Sequence, residues 1–155
     1  SSHLRRAVQT AEAILVGRDA DLGIDPELEE YRMGDWANGE FRRRAAALDP
    51  EWVAWSLTGR WDGIPGSEGD AAFRNRVRGA VDRLVERHRG GSIAVVAHGG
   101  AINAYVAAVL GTDRSLLFTC ENTSITTVRV GPAGASLLTV NDCHHLYDPL
   151  RPPTR

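Results

Sequence analysis

His98 ends a short apolar run, Ile93 to Ala97, and is followed by Gly99 and Gly100. An imidazole in that place can bind or protonate a phosphoryl oxygen. Glycines let the backbone approach a ligand closely. A helix beginning there turns free N–H groups and the positive end of its dipole toward an anion. The same residues also fit a hydrogen-bonded histidine at a strand end. They fit the oxyanion loop of an esterase less well, because that chemistry wants a Gly-x-Ser-x-Gly elbow and the sequence has none. Arg6 falls in the first turn of a helix that follows Ser1 and Ser2. Its planar fork matches a phosphate held at a helix start, although an arginine there is also an ordinary surface residue. Glu30 lies in an irregular stretch beside Glu29, a neighbour that can raise its pKa; the two also read as a solvated pair. Glu68, just after Ser67, is a second candidate acid, and its plainer reading is charge at a helix N-terminus. His144 and His145 are adjacent and lack spaced partners, so no metal site is assigned.

Positioning these residues needs both helices and strands. Leu4, Val8, Ala11, Ile14 and Leu15 share a helical face behind a serine cap, and Gly17 ends that helix. Residues 22–39 read as irregular, with Pro26, Gly34 and Gly39 as breakers. A short helix is expected over Glu40 to Leu48. A second follows the Asp49-Pro50 cap, with Trp52 and Trp55 packed in the core. The longest helix opens at Ser67 or Asp70 and runs to about Arg89, burying Phe73, Val77, Ala80, Val81, Leu84 and Val85. Residues 92–97 read as a strand buried on both faces, and Ala101 to Leu110 as a helix. Ser124 to Val130 and Ala135 to Val140 form an expected hairpin. The tail, with Pro149, Pro152 and Pro153, reads as loose. Alternating helices and strands imply an α/β class with a mostly parallel sheet flanked by helices. Ligands of such sheets sit beyond the carboxyl ends of the strands, which is where His98 falls.

Composition narrows the partners. The 155 residues fit one domain, 1–155, and carry a net charge of -2, so no basic surplus points to nucleic acid or a membrane surface. Every lysine-or-arginine position is Arg, so only the place of a given arginine is informative. Cys120 and Cys143 make no disulfide framework, and a reducing, cytoplasmic location is expected.

Several stretches, taken in order, resemble the histidine phosphatase (phosphoglycerate mutase-like) superfamily. They are Ser1-Ser2-x-Leu4-x-Arg6-Ala7-x-Gln9-Thr10-Ala11, Leu28-Glu29-Glu30 through Gly34-Asp35-Trp36, Pro65-Gly66-Ser67-Glu68, Val95 to Gly100, Glu121 to Thr126, and Asn141-Asp142 with His145-Leu146. The resemblance implies phosphomonoester hydrolysis through a phosphohistidine, without metal or cofactor. It implies that Arg6 and Gly99 hold the phosphoryl group, that His98 stabilises it and that Glu30 donates the proton, with Glu68 as the alternative acid. The partner implied is a small phosphorylated metabolite, and a homodimer stays open. One departure matters: the family's Arg-His-Gly signature, which carries its nucleophile, does not occur, and Arg87-His88-Arg89 is the nearest approach. The signature is expected upstream of Ser1, so the fold should lack its first strand and helix and the chain alone should be inactive. The alternatives are a non-catalytic module that binds phosphorylated ligands or pairs with a subunit, and a phosphoglycerate mutase-type phosphotransferase.

Overall fold

Polar caps, prolines and glycines cut the chain into short helices, and the apolar positions of those helices decide what they pack against. The computed structural model describes residues 1–146; the Pro149–Pro153 tail lies outside them. Five α-helices precede a hairpin: α1 (Arg5–Leu15), α2 (Glu40–Ala47), α3 (Pro50–Thr58), α4 (Asp70–Arg87) and α5 (Gly99–Leu110), then β1 (Ile125–Gly131) and β2 (Gly134–Asp142). Asp49 caps α3 as expected, accepting from the Glu51 and Trp52 amides ahead of Pro50 at the first turn.

Packing centres on α4 and α5. Phe73, Val77, Ala80 and Val81 give α4 a buried stripe at helical spacing, and Ala101, Ala104 and Ala107 give α5 a flat face on which it can lie close. An aromatic cluster of Tyr31, Trp36, Trp55, Trp61 and Phe73 fills the space beside them. Its rings meet mostly edge-to-face or tilted, as their quadrupoles favour; Tyr31 and Trp61 stack at 4.6 Å. Trp52 packs only partly against this core. The buried face of α1 is narrower than its sequence suggested: Ala7 and Ala11 are covered, whereas Ile14 is exposed.

The expected parallel sheet does not form among the described residues. The one sheet is the antiparallel pair β1–β2, with Val128 opposite Leu137 and Val130 opposite Ala135. Residues 92–97 join no ladder, and none of them is fully buried. The reason is that a strand exists only through its neighbours. Here the neighbour contributes one bond, the Ser2 amide donating to the Val96 carbonyl at 2.9 Å, with the Ser1 hydroxyl reaching the same oxygen at 3.4 Å. No helix among the described residues is long and apolar enough to cross a membrane.

Candidate functional site

The start of α5 is the centre of the site, and it begins two residues earlier than its apolar pattern indicated. His98 is the N-cap and Gly99 and Gly100 form the first turn. Gly100 has no room for a side chain: a Cβ would overlap Glu30 Oε1 and stand 3.0 Å from the Trp61 ring. That space is taken by a carboxylate. The Gly100 amide donates to Glu30 Oε2 at 3.2 Å, and the Tyr31 amide donates to Glu30 Oε1 at 2.9 Å. The group at the positive end of α5 is therefore the Glu30 carboxyl. Burial pushes the Glu30 carboxyl upward, while the Tyr31 and Gly100 amides, the Arg6 charge and the Ala101 amide pull it down; burial prevails and the net shift is upward.

His98 is buried and its Nε2 lies 2.9 Å from Ser2 Oγ. The Leu4 amide donates to the same hydroxyl oxygen at 3.2 Å. When the Ser2 hydroxyl donates its proton to Nε2, His98 carries its own proton on Nδ1. Burial first, and the Arg6 charge second, lower the His98 pKa to about 4, so the ring is neutral at pH 7. Ser2 and His98 have the spacing of a nucleophile and its base, yet Ser2 is fully covered and cannot reach a substrate. Its part is to hold the ring.

Arg6, exposed on the first turn of α1, acts electrostatically on both Glu30 and His98. Glu30, His98 and the Gly99–Gly100 turn thus meet at the start of α5, and the charge of Arg6 is felt by both side chains. Glu68 is not part of that group as a free acid. Both of its oxygens are bound by Arg76, at 2.6 and 3.0 Å, and Oε1 also accepts the Arg32 amide at 2.9 Å. An open cleft of about 360 Å³ adjoins the site, lined by Phe41, Trp55, Trp61 and residues 116–119.

Three supporting residues escaped the sequence reading. Ser2 looked like a helix cap, and nothing local ties it to a residue 96 positions away. Arg76 looked like one more polar residue on α4. Asn103 did leave a signal, a lone amide within an apolar helix. It uses that amide fully, donating to Gly99 O and Phe118 O and accepting from the Leu117 and Phe118 amides, all at 2.8–3.1 Å. This pins the 117–118 segment against the first turn of α5. Cys120, next along that segment, has its thiol pushed up to about 11 by burial, which makes it a poor nucleophile.

Residues 1–143 match the histidine phosphatase superfamily (branch 1). The adenosylcobalamin/alpha-ribazole phosphatase of Salmonella typhimurium is 33% identical over 110 residues, covering 70% of this chain and 54% of that protein. The glucosyl-3-phosphoglycerate phosphatase of Mycolicibacterium vanbaalenii is 36% identical over 117 residues, 72% of this chain and 52% of that protein. The chain thus spans about half the length of these curated relatives. A mycobacterial glucosyl-3-phosphoglycerate phosphatase solved with VO3 superimposes with a TM-score of 0.77 at 27% identity, over 91% of this chain and 74% of that one.

Proposed function

The chain belongs to the histidine phosphatase superfamily (branch 1), and on that premise we propose that it serves phosphomonoester hydrolysis, with Arg6 and His98 holding the phosphoryl group and Glu30 moving the proton. One observation carries this reading: the Glu30 carboxyl accepts the Gly100 amide at the same helix start that His98 caps, with the Arg6 charge felt by both groups. The guanidinium of Arg6 offers a fork to two phosphoryl oxygens. Gly99 N–H, at the first position of α5, has no partner within the helix and is free to donate to a phosphoryl oxygen. Neutral His98 donates Nδ1–H to a phosphoryl oxygen. A bound dianion also offsets the Arg6 charge that helps to depress this ring, so binding raises the His98 pKa.

Glu30 suits proton transfer because burial raises its pKa above the ordinary carboxyl value, which favours holding a proton to donate. It gives its proton to the leaving alcohol as the P–O bond breaks and a P–N bond forms on the attacking histidine. It then takes a proton from the water that attacks phosphorus as the P–N bond breaks. The attacking histidine comes from an Arg-His-Gly segment, which these 155 residues do not contain. No metal or cofactor is assigned. The substrate class is a small phosphomonoester, consistent with relatives named for alpha-ribazole and glucosyl-3-phosphoglycerate chemistry.

The test is hydrolysis of a chromogenic phosphomonoester by the 155-residue chain and by a version extended upstream through an Arg-His-Gly segment. The short chain should stay at background. The long one should turn over, and Glu30→Gln should cut its rate by about 10²–10⁴-fold at neutral pH. Turnover by the short chain that His98→Ala abolishes would mean that the nucleophile lies elsewhere.

A further inference from the structure

Glu30 owes its place to a neighbour that the proposed chemistry does not touch. Arg76 projects from α4, and its side chain is only 9% exposed. A guanidinium has five N–H donors in a rigid fork, and here each has an acceptor. Nε and one Nη2 proton take the two oxygens of Glu68, at 3.0 and 2.6 Å. Nη1 reaches the Glu27 carbonyl at 2.8 Å and the Glu29 carbonyl at 3.2 Å. The second Nη2 proton faces the Glu30 carbonyl at 3.5 Å. The plane also lies 5.0 Å over the Phe73 ring at the centre of the core.

Glu68 closes the device from the other end. Its Oε1 accepts the Arg32 amide, and its own amide donates to the Arg32 carbonyl at 3.3 Å. The stretch from Glu27 to Arg32 is otherwise irregular, a single 3₁₀ turn followed by coil. Its backbone is fixed at the carbonyls of Glu27, Glu29 and Glu30 and, past Tyr31, at both the N–H and the C=O of Arg32. Neither a helix nor a sheet ladder does this work.

We propose that Arg76, locked by Glu68, is the positioning residue that holds the Glu30 carboxyl against the first turn of α5. The proposal rests on Glu30 being the proton donor, but its geometry can be read without turnover, so the two can fail separately. The fork is essential. A lysine keeps the charge and can still pair with Glu68, yet a single ammonium cannot span a carboxylate and three carbonyls.

The experiment is carbon-detected NMR titration of Glu30 and His98 in the 155-residue chain, for wild type, Arg76→Lys and Arg76→Met. Both substitutions should release Glu30 to water and bring its raised pKa down to the ordinary 4.5, while His98, held by Ser2, still titrates near 4. The sign decides. Loss of a nearby positive charge alone would raise a carboxyl pKa, so a rise in Arg76→Met, or no change in Arg76→Lys, overturns the proposal. If neither variant folds, the wild type still answers. Resolved Arg76 Nη proton signals support a five-bond lock, and a single averaged signal contradicts it.

Discussion

Phe73, Ala80 and Ala104 are fully covered in the region where α4, α5 and the aromatic rings meet, whereas no residue of the β1–β2 hairpin is buried. The two regions are held by different forces. The first buries large side chains and pairs the polar groups of Arg76, Glu68 and Asn103, while the Trp52, Trp55 and Trp61 indole N–H groups go without a partner among the described residues. The second is held by backbone ladder bonds, and Ile125, Val130, Leu138 and Val140 stay exposed. Glu30 and the His98–Gly100 turn border the first region. A site needs rigid walls before its groups can hold one geometry, and only the aromatic region supplies them.

The largest expected effect comes from breaking that region. Phe73→Ala should cost about 3–5 kcal/mol in urea unfolding, since it removes a ring from a closed core. A cost below about 1 kcal/mol would mean that the cluster relaxes freely and is not a rigid wall. Gly100→Ala is next. Its methyl must displace the Glu30 carboxylate or the Trp61 ring, at about 1–3 kcal/mol, and the Glu30 pKa should fall as the carboxyl enters water. If stability and the Glu30 titration are both unaltered, the contact between them is not as close as described.

A third effect depends on pH. The folded His98 titrates at about 4 against an ordinary value of 6.5. Between those values the unfolded chain binds a proton that the folded chain refuses, so stability falls as pH drops from 6.5 toward 4. From pH 6.5 to 5 the His98 contribution is about 1.5 kcal/mol. Glu30 works in the opposite direction, because a raised carboxyl pKa favours the folded state as pH falls. Comparing wild type with His98→Asn at both pH values cancels Glu30 and isolates His98. An equal acid loss in the two proteins would show that His98 is not held neutral by burial. The smallest effect belongs to the hairpin: Leu138→Ala should change stability by no more than about 0.5 kcal/mol. A loss as large as that of Phe73→Ala would erase the contrast between the two regions.

What could be read from the sequence follows the range of the forces involved. Local signals held: Asp49-Pro50 starts α3, the spacing of Phe73, Val77, Ala80 and Val81 marks the inner face of α4, and β1 and β2 pair as a hairpin. The apolar run at residues 92–97 predicts a doubly buried strand, yet apolar composition cannot say whether neighbours will pair with it. The apolar pattern starts the helix at Ala101, but Gly99 and Gly100 are its first turn; at Gly100 only glycine leaves room for the Glu30 carboxyl. Four candidates, Arg6, Glu30, His98 and Gly99, were visible as types at suggestive places. The supports Ser2 and Arg76 were not, because their partners lie 96 and 46 to 49 positions away.

The most direct test of the account is calorimetric titration of the 155-residue chain with inorganic phosphate, for wild type and Arg6→Gln. If Arg6, His98 and the start of α5 form one phosphoryl site, wild type binds phosphate and Arg6→Gln binds about tenfold more weakly or worse, as expected for the loss of a charge-assisted fork. Equal affinity in the two proteins, or no binding by either, would contradict it.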